Sequence, residues 1–557
     1  MSIANSEKFL EIRNKYLWIP VKNGAELKTL SIYDGDEKIY EFRVPADPVP
    51  NMITKSTDFI GMINVEKYIG KTLRLSGEFS PMFFASVKNN DSVRKAGVRR
   101  PYVHFTPDVG WMNDPNGLIF DGKEYHLYFQ HNPLGKYWEN MTWGHAVSTD
   151  LLHWEQRDDV MYPDEKGTMF SGSGLIDAKN TLGFGENAKV YFYTTAGGTS
   201  DWSNGLESIQ CLAHSEDGGN TLVKDGMIID TVKSANRDPK VYFYEQGGFY
   251  YMALFIAEPD EFAVLNSTDL RHWEEKQRLH LPGLRECPDL RLIPWDESVL
   301  KTAGSDELKE TYAFMAADGT YYTGSFDGRT FVPDGGMKEA FMTSIPYAAQ
   351  TFFGPDRVIQ VPWLRTKDKT KPYTSAMGLP RELTLALNEQ GEPVILAKPV
   401  REFEAAKVKI LQGVLSVDAE DTSYFSKKTD GDAAFELKLS ADDLSGFELV
   451  LFDTDIIYDA YLRTLTLIGA EDMKDREEDI RKKREGAGFD AEKPSMRQMQ
   501  MPKQFKDLTV FLDGNILELS VNAGREVWIY EISKDQFAGH IDLEARGSLN
   551  YTLSAIV

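Results

Sequence analysis

Cysteine is almost missing from this 557-residue chain: only Cys211 and Cys287 occur. Two thiols cannot build a disulfide framework in a chain this long, so the fold must rest on buried apolar surface. Net positive charge is missing too. Asp and Glu number 86 against 62 Lys and Arg, which leaves a net charge of −24. Nucleic acid is therefore not expected as a partner, because phosphate binding needs clustered cations, and an anionic membrane surface would repel the chain. No run approaches the roughly 18 apolar residues of a spanning helix, so no membrane association is expected. The opening MSIANSEKFLEIRNKYLWIP has no basic stretch, apolar run and small-residue cleavage site in succession, so we expect a cytoplasmic protein. The nine histidines show no HxH or HxxxH pairing, and neither a metal nor another cofactor is expected.

What is present is sheet-forming sequence. Hydrophobic residues make up 42% of the chain, enough to bury several cores. Helical periodicity is scarce. Short runs such as KEYHLYFQHNP from 123, KVYFYTTAGG from 189 and TYYTGSFDG from 320 are bounded by Gly, Asp, Asn and Pro. Val, Tyr, Phe and Thr suit pleated, half-buried positions, and the bounding residues supply turns. The expected class is all-β. An internal repeat sharpens it: STDLLHWE at 148–155 returns as STDLRHWE at 267–274, with looser copies at 215–222 and 325–331. Their starts lie 67, 52 and 58 residues apart. Periods near 50 residues with several strands each mark propeller blades. Four copies leave room for a fifth blade.

The propeller is thus expected over 100–375. Alternating runs in residues 1–95 predict a small β-sandwich-like accessory domain, and KNNDSVRKAGVRRP from 88 reads as a linker. Strand-like runs over 385–557 predict a second sandwich, interrupted at 470–504 by densely mixed charge that reads as a solvated insertion.

Three acidic motifs are scattered along the expected propeller: WMNDPNG at 111–117, RDP at 237–239 and ECPDL at 286–290. Blades converge on one axial cavity, where acids far apart in sequence can meet. Several carboxylates around one small cavity are what glycosidic cleavage needs. Each Asp-Pro alone would read as a capped turn.

Taken in order, WMNDPNG, FSGSG at 170–174, RDPKV at 237–241 and ECPDL, followed by YAAQTF at 347–352 and LPRELTL at 379–385, resemble the glycoside hydrolase family 32 enzymes, the invertases, levanases and inulinases. The resemblance covers about residues 100–557 apart from the charged insertion. It implies a five-bladed propeller followed by a β-sandwich, and a small fructoside as substrate. It implies that Asp114 is the nucleophile, that Asp238 holds fructose hydroxyls and stabilises the transition state, and that Glu286 is the general acid/base. Asn113, Gln130, Trp138, Phe170, Ser171, Arg237, Tyr347 and Trp363 fall where the family lines its fructose pocket. The activity implied is a retaining β-fructofuranosidase acting from the non-reducing end. The same triad would serve a fructosyltransferase, and a carbohydrate-binding propeller without catalysis is the alternative of another class.

Those roles carry electrostatic expectations. Glu286 should have a raised pKa, from burial and from the charges of Asp114 and Asp238, and Arg237 should keep Asp238 ionised. Trp111, Trp138, Trp143 and Phe170 are each open to a reading as sugar platforms or as inter-blade packing; for Trp154 and Trp273, inside the repeats, packing is expected. Cys287 is expected to be a small buried neighbour of the acid, not a nucleophile. Asp108 and Asp289 are expected to be structural. Many relatives place an acid before Phe-Tyr-Ala where this chain reads SIPYAAQ at 344–350, which should reshape the rim beside the leaving group. A homodimer, where formed, is expected to use the amino-terminal region.

Overall fold

A computed structural model of the protein describes residues 6–46, 57–93, 97–232, 235–303, 308–367, 370–416, 423–430, 434–441, 444–452, 454–471, 496–500, 505–532 and 538–557. It is all-β. Residues 6–90 form a four-stranded sheet, in the order Ser6–Glu11, Thr72–Gly77, Leu27–Asp34, Glu37–Pro45, and a three-stranded sheet of Phe59–Asn64, Tyr16–Val21 and Lys88–Asn90. Both sheets feed one core, with Leu17, Ile19, Leu30, Phe42, Ile63 and Leu75 buried in it. Val109 and Leu134 from the next region join the same core, so this sandwich is packed onto its neighbour. The start of the expected linker is in fact a strand: Lys88–Asn90 pairs with Tyr16–Trp18. Residues 94–96 of that stretch lie outside the described residues.

Five successive antiparallel sheets follow, the blades of the five-bladed propeller. Blade one runs Gly110–Phe120, Tyr125–Asn132, Thr142–Ser148, Glu155–Met161, and blade two Thr168–Asp177, Ala188–Ala196, Ile209–Ser215, Val223–Ile229. Blade three is Asn236–Tyr244, Phe249–Ile256, Glu261–Ser267, Glu274–Leu279, and blade four Asp289–Leu292, Tyr312–Met315, Thr320–Phe326, Phe331–Pro333. Blade five is Pro346–Thr351, Ile359–Leu364, Arg381–Leu387, Pro393–Pro399. Middle strands are buried on both faces because blades cover them on both sides; Tyr125–Asn132 is buried at every position. The fourth strand of blade three, Glu274–Leu279, is polar and faces water, whereas that of blade five, Pro393–Pro399, packs Ile395 and Ala397 into a core shared with the second sandwich. The innermost strands of blades one, two, three and five touch one another. The short strand Tyr373–Thr374 returns from blade five to pair in parallel with Gly110–Trp111, closing the ring.

The repeat read from the sequence falls at the turns joining the third and fourth strands of blades one to four. Asp150 Oδ1 accepts from the backbone N–H of Leu152 and His153 at 2.9 and 2.8 Å, and Asp269 Oδ1 from Arg271 and His272 at 2.9 and 2.8 Å. Asp327 accepts in the same way from Arg329 and Thr330, and Asp217 accepts from the Thr221 N–H, four residues on, in a longer turn. Trp154 and Trp273 pack, each donating its Nε1–H to a carbonyl three residues back.

One boundary needs correction. Arg381–Leu387 and Pro393–Pro399 are strands of blade five, so the propeller runs to about residue 399, not 375, and the carboxy-terminal sheets begin at Lys407, not 385. Those two sheets, of seven and six strands, share one core containing Leu437, Leu449, Leu517, Ile541 and Leu553. The charged stretch expected at 470–504 falls mostly outside the described residues, which there comprise only 470–471 and 496–500.

A buried ion cluster bolts the propeller to this second sandwich. His104, with no exposed side-chain surface, places Nδ1 2.9 Å from Asp513 Oδ2 and Nε2 3.1 Å from Glu518 Oε1. Arg381 of blade five reaches the other oxygen of Glu518. Asp513 also accepts from the backbone N–H of Tyr102 and Val103 at 2.6 and 2.8 Å. Burial alone would push His104 down, but its hydrogen bonds to Asp513 and Glu518 and their charges carry it up to about 9. A cation with a raised pKa stabilises the fold below its ordinary 6.5 and loses that contribution as pH rises through about 9. The melting temperature should therefore fall between pH 6.5 and 9.5. His104→Gln should cost about 3 kcal/mol or more at pH 6.5, the scale for orphaning a buried ion pair, and should flatten that fall. Thermal unfolding of both proteins across this range checks it.

Candidate active site

The acids reach one place because the innermost strands are irregular at the same height. Pairing slips between Met112 and Pro115 in blade one, Met169 and Gly172 in blade two, Arg237 and Lys240 in blade three, and Tyr347 and Gln350 in blade five. A bulge releases residues from the alternation of the pleat and re-aims their side chains. The released residues are Asn113 and Asp114, Phe170 and Ser171, Asp238 and Pro239, and Ala348 and Ala349. Blade four instead presents Glu286 and Cys287 just before its first strand. Asp238, Glu286, Cys287 and Ala348 have φ of 62°, 56°, 43° and 49°, in the left-handed region that non-glycine residues rarely occupy. Such conformations cost on the order of 1–3 kcal/mol each and persist where the surroundings over-determine them. Gly172 serves the same end, since a β-carbon there would lie 2.0 Å from Phe192 O.

The three acids share neighbours. Ser171 Oγ–H donates to Asp114 Oδ2 at 2.6 Å, and Asn113 Nδ2–H to Asp114 Oδ1 at 3.0 Å. The Cys287 N–H donates to Asp238 Oδ2 at 3.1 Å, and its Sγ lies 3.6 Å from Asp114 Oδ2 and 3.7 Å from Asp238 Oδ2. Glu286 receives Arg237 at 2.5 Å on Oε1 and the Tyr347 hydroxyl on Oε2. Asp238 is buried, whereas Asp114 and Glu286 are half-buried. Aromatic rings surround them. Trp363 meets Trp111 edge to face at 5.7 Å and Tyr347 at 6.3 Å, and Trp138 meets Phe170 at 5.7 Å. The Trp363 Nε1–H is buried without a hydrogen-bond partner, a donor left for a ligand.

All eleven residues singled out from the sequence thus fall in one neighbourhood, Gln130 through an intermediary. That intermediary, Asn116, was not singled out. With its amide oriented to suit its neighbours, it accepts from Gln130 Nε2 at 2.9 Å and donates to Ser171 Oγ at 3.3 Å. Its place in WMNDPNG was the available signal. Lys240 was missed as well. Buried below the acids, it donates to Thr351 O at 2.6 Å and lies 3.5 Å from Asp289 Oδ2. Asp289 also accepts from Tyr242 at 2.9 Å and from the Thr351 N–H at 2.8 Å, so blades three, four and five are tied just beneath the site. Trp143 is no platform. It is fully buried against Tyr191 and Tyr193, and its Nε1–H donates to Phe170 O at 3.0 Å.

Two electrostatic expectations are overturned. Burial pushes Glu286 up, but the hydrogen bonds from Tyr347 and Arg237 and the guanidinium charge outweigh it, and its pKa lies below the ordinary value. Arg237 is committed to Glu286; its Nε is 3.9 Å from Asp238 Oδ2. Asp238 is consequently pushed up to about 7 by burial, with Arg237 pulling back and the charges of Asp114 and Glu286 adding to the rise. Asp114 is raised too, burial being the main cause. Burial also holds the Cys287 thiol far above its usual range, so it is a neutral donor between two carboxyls. Asp114, Asp238 and Cys287 offer ligand atoms within 4.8 Å of one another, the one such trio among the described residues.

A carboxyl whose pKa is raised on folding stabilises the protein below its ordinary 3.8 and loses that contribution as pH rises through about 7. Asp238→Asn should therefore raise the melting temperature at pH 8, and the gain should vanish near pH 4. Thermal unfolding at the two pH values checks it.

This arrangement has known counterparts. Residues 104–399, just over half of the chain, match the family model described as the glycosyl hydrolases family 32 N-terminal domain. The chain is 34% identical over 340 residues to a levanase of Bacillus subtilis, across 55% of this chain and 48% of the levanase. It therefore spans about half the length of that relative. It is 30% identical over 382 residues to an extracellular exo-inulinase of Meyerozyma guilliermondii, across 62% of this chain and 71% of that protein. The crystal structure of exo-inulinase from Aspergillus awamori superposes with a TM-score of 0.68 at 23% identity, over 84% of this chain and 99% of that one. The matched segment opens at the residue that begins the ion cluster and ends with blade five, enclosing Asp114, Asp238 and Glu286, and on this ground the chain belongs to glycosyl hydrolases family 32.

Proposed function

We propose that the protein is a retaining β-fructofuranosidase that releases fructose from terminal non-reducing β-D-fructofuranosides such as sucrose, levanbiose or short fructo-oligosaccharides. The observation that carries this reading is the joining of Asp114, Asp238 and Glu286 through Cys287, Arg237 and Ser171 at one aromatic-lined site. The relatives named levanase and exo-inulinase support the substrate class.

The chemistry follows from position. Asp114, oriented by Ser171 and Asn113, attacks the anomeric C2 as the bond to the leaving oxygen breaks. Glu286 gives that oxygen a proton. A fructosyl ester forms on Asp114, and Glu286, now a base, takes a proton from the water that hydrolyses it. Asp238, with its raised pKa, is suited to hydrogen-bonding sugar hydroxyls. Glu286 in the unliganded site is held ionised by Tyr347 and Arg237. Its acid role requires sugar groups to loosen one of those bonds and let its pKa rise. The ring of Tyr347 is itself held under the Arg365 guanidinium, 4.6 Å from its centroid, where this chain departs from the usual rim sequence.

Asp114→Ala should lower fructose release from sucrose, levanbiose and an inulin-type trisaccharide by roughly 10⁴-fold or more, the scale for removing a nucleophile. Equal release from both proteins would end the reading. Product chromatography at high sucrose separates hydrolysis, with equal glucose and fructose, from transfer, with glucose in excess. Tyr347→Phe removes a bond that lowers the Glu286 pKa. Because the acid must be protonated, the high-pH limb of kcat/KM should move to higher pH, with kcat reduced about 10²-fold. A pH–rate profile of the variant checks the direction.

A further inference from the structure

The amino-terminal sandwich lies outside the matched family segment, yet it grips the two loops that lead to Phe170 and Ser171. Glu37–Pro45 is the outer strand of its four-stranded sheet, and an outer strand leaves backbone groups unpaired. At Arg43 that vacancy is filled by one side chain of the propeller. Asn140 Oδ1 accepts from the Arg43 N–H at 2.7 Å, and its Nδ2–H donates to Arg43 O at 2.8 Å. The amide thus stands in for the missing neighbour strand. Asn140 is buried, donates to Asn132 Oδ1 at 3.0 Å, and takes a φ of 53°, which asparagine tolerates better than most residues.

The grip is transmitted in two short steps. Trp138 stands two residues before Asn140, 47% exposed, with its ring against Phe170. Met141, the next residue, accepts from the Met169 N–H at 2.8 Å. On the far side, the loop of residues 197–206 is held by the same sheet. Trp202 N–H donates to the buried Glu41 at 2.8 Å, Lys38 Nζ lies 2.5 Å from Glu41 Oε2 and 5.2 Å over the Trp202 ring, and Thr29 Oγ1–H donates to Asp201 at 3.0 Å. Thr199 in that loop bonds Thr168, the first residue of the strand that carries Phe170 and Ser171. Gly24 N–H donates to the Tyr137 hydroxyl at 2.9 Å, one residue before Trp138.

We infer that the amino-terminal sheet is part of the construction of the fructoside cleft, and that Asn140 is a positioning residue that sets Trp138 as its wall. This rests on the fructosidase reading. A half-exposed indole offers an apolar face to the C–H surface of a sugar, and its value depends on being held before the sugar arrives. A wall of that kind contacts ground state and transition state alike, so losing its position raises KM and spares kcat.

The test is a double-mutant cycle on sucrose and an inulin-type trisaccharide with Asn140→Ala, Trp138→Ala and the pair, alongside thermal unfolding. Asn140→Ala should raise KM about tenfold, the scale of one or two lost hydrogen bonds, with kcat within about twofold. The double variant should be no worse than Trp138→Ala alone, because Asn140 acts through Trp138. Asn140→Asp keeps the bond from the Arg43 N–H and should fall between wild type and Asn140→Ala; it takes the alanine's place in the cycle should that variant not fold. An unchanged KM with a lowered melting temperature, or single effects that multiply in the pair, overturns the inference. Wild type that releases no fructose from either sugar overturns the functional reading instead, so the two failures are distinguishable.

Discussion

Three carboxyl groups with a single guanidinium between them are the constraint around which this protein is arranged. Arg237 donates directly to Glu286 at 2.5 Å and reaches Asp238 only at 3.9 Å. The other two must be accommodated by neutral donors. Ser171, Asn113, the Cys287 thiol and the Cys287 backbone supply these, and what they leave uncompensated appears as the raised pKa values of Asp114 and Asp238. In low-dielectric surroundings like charges at such range do not all ionise. The resulting division, the pKa of one acid lowered and those of two raised, comes from burial of all three and from the hydrogen bonds that Tyr347 and Arg237 give to Glu286 alone.

The propeller makes the crowding sustainable. Each acid is delivered by a different blade, and blades three, four and five are tied below the site by Lys240, Asp289, Tyr242 and Thr351, which fixes Asp238 and Glu286 relative to one another. The bulges and left-handed residues concentrate irregular backbone at one level of an otherwise regular stack. The strands on either side of that level are buried between neighbouring blades. At that level the irregularity aims side chains into the site.

Much of this was legible in the sequence, because both signals are local. The Ser-x-Asp turns announced the blades, and they proved to occupy one topological position. The acidic motifs announced the site, since each lies in a few consecutive residues. Legibility failed where the outcome depends on which distant group a side chain meets. Nothing in RDP says that Arg237 crosses to Glu286 in preference to its own neighbour, so the charge state of Glu286 was misjudged. Nothing in LPRELTL says that this strand pairs backward with Ile359–Leu364, so the propeller was ended too early. Lys240 looked like any strand lysine until Asp289 was brought beside it. Asn140 gave no hint of its role, because its partner is the backbone of a strand 97 residues away.

The state of Cys287 has an implication of its own. Both cysteines of the chain are buried, and the thiols are held well into the protonated form. Oxidation and alkylation proceed through the thiolate. A sulfur wedged between two carboxyls therefore has almost no reactive fraction to offer a peroxide or an electrophile. The centre gains a soft, polarisable spacer whose thiol is kept from the reactive thiolate form.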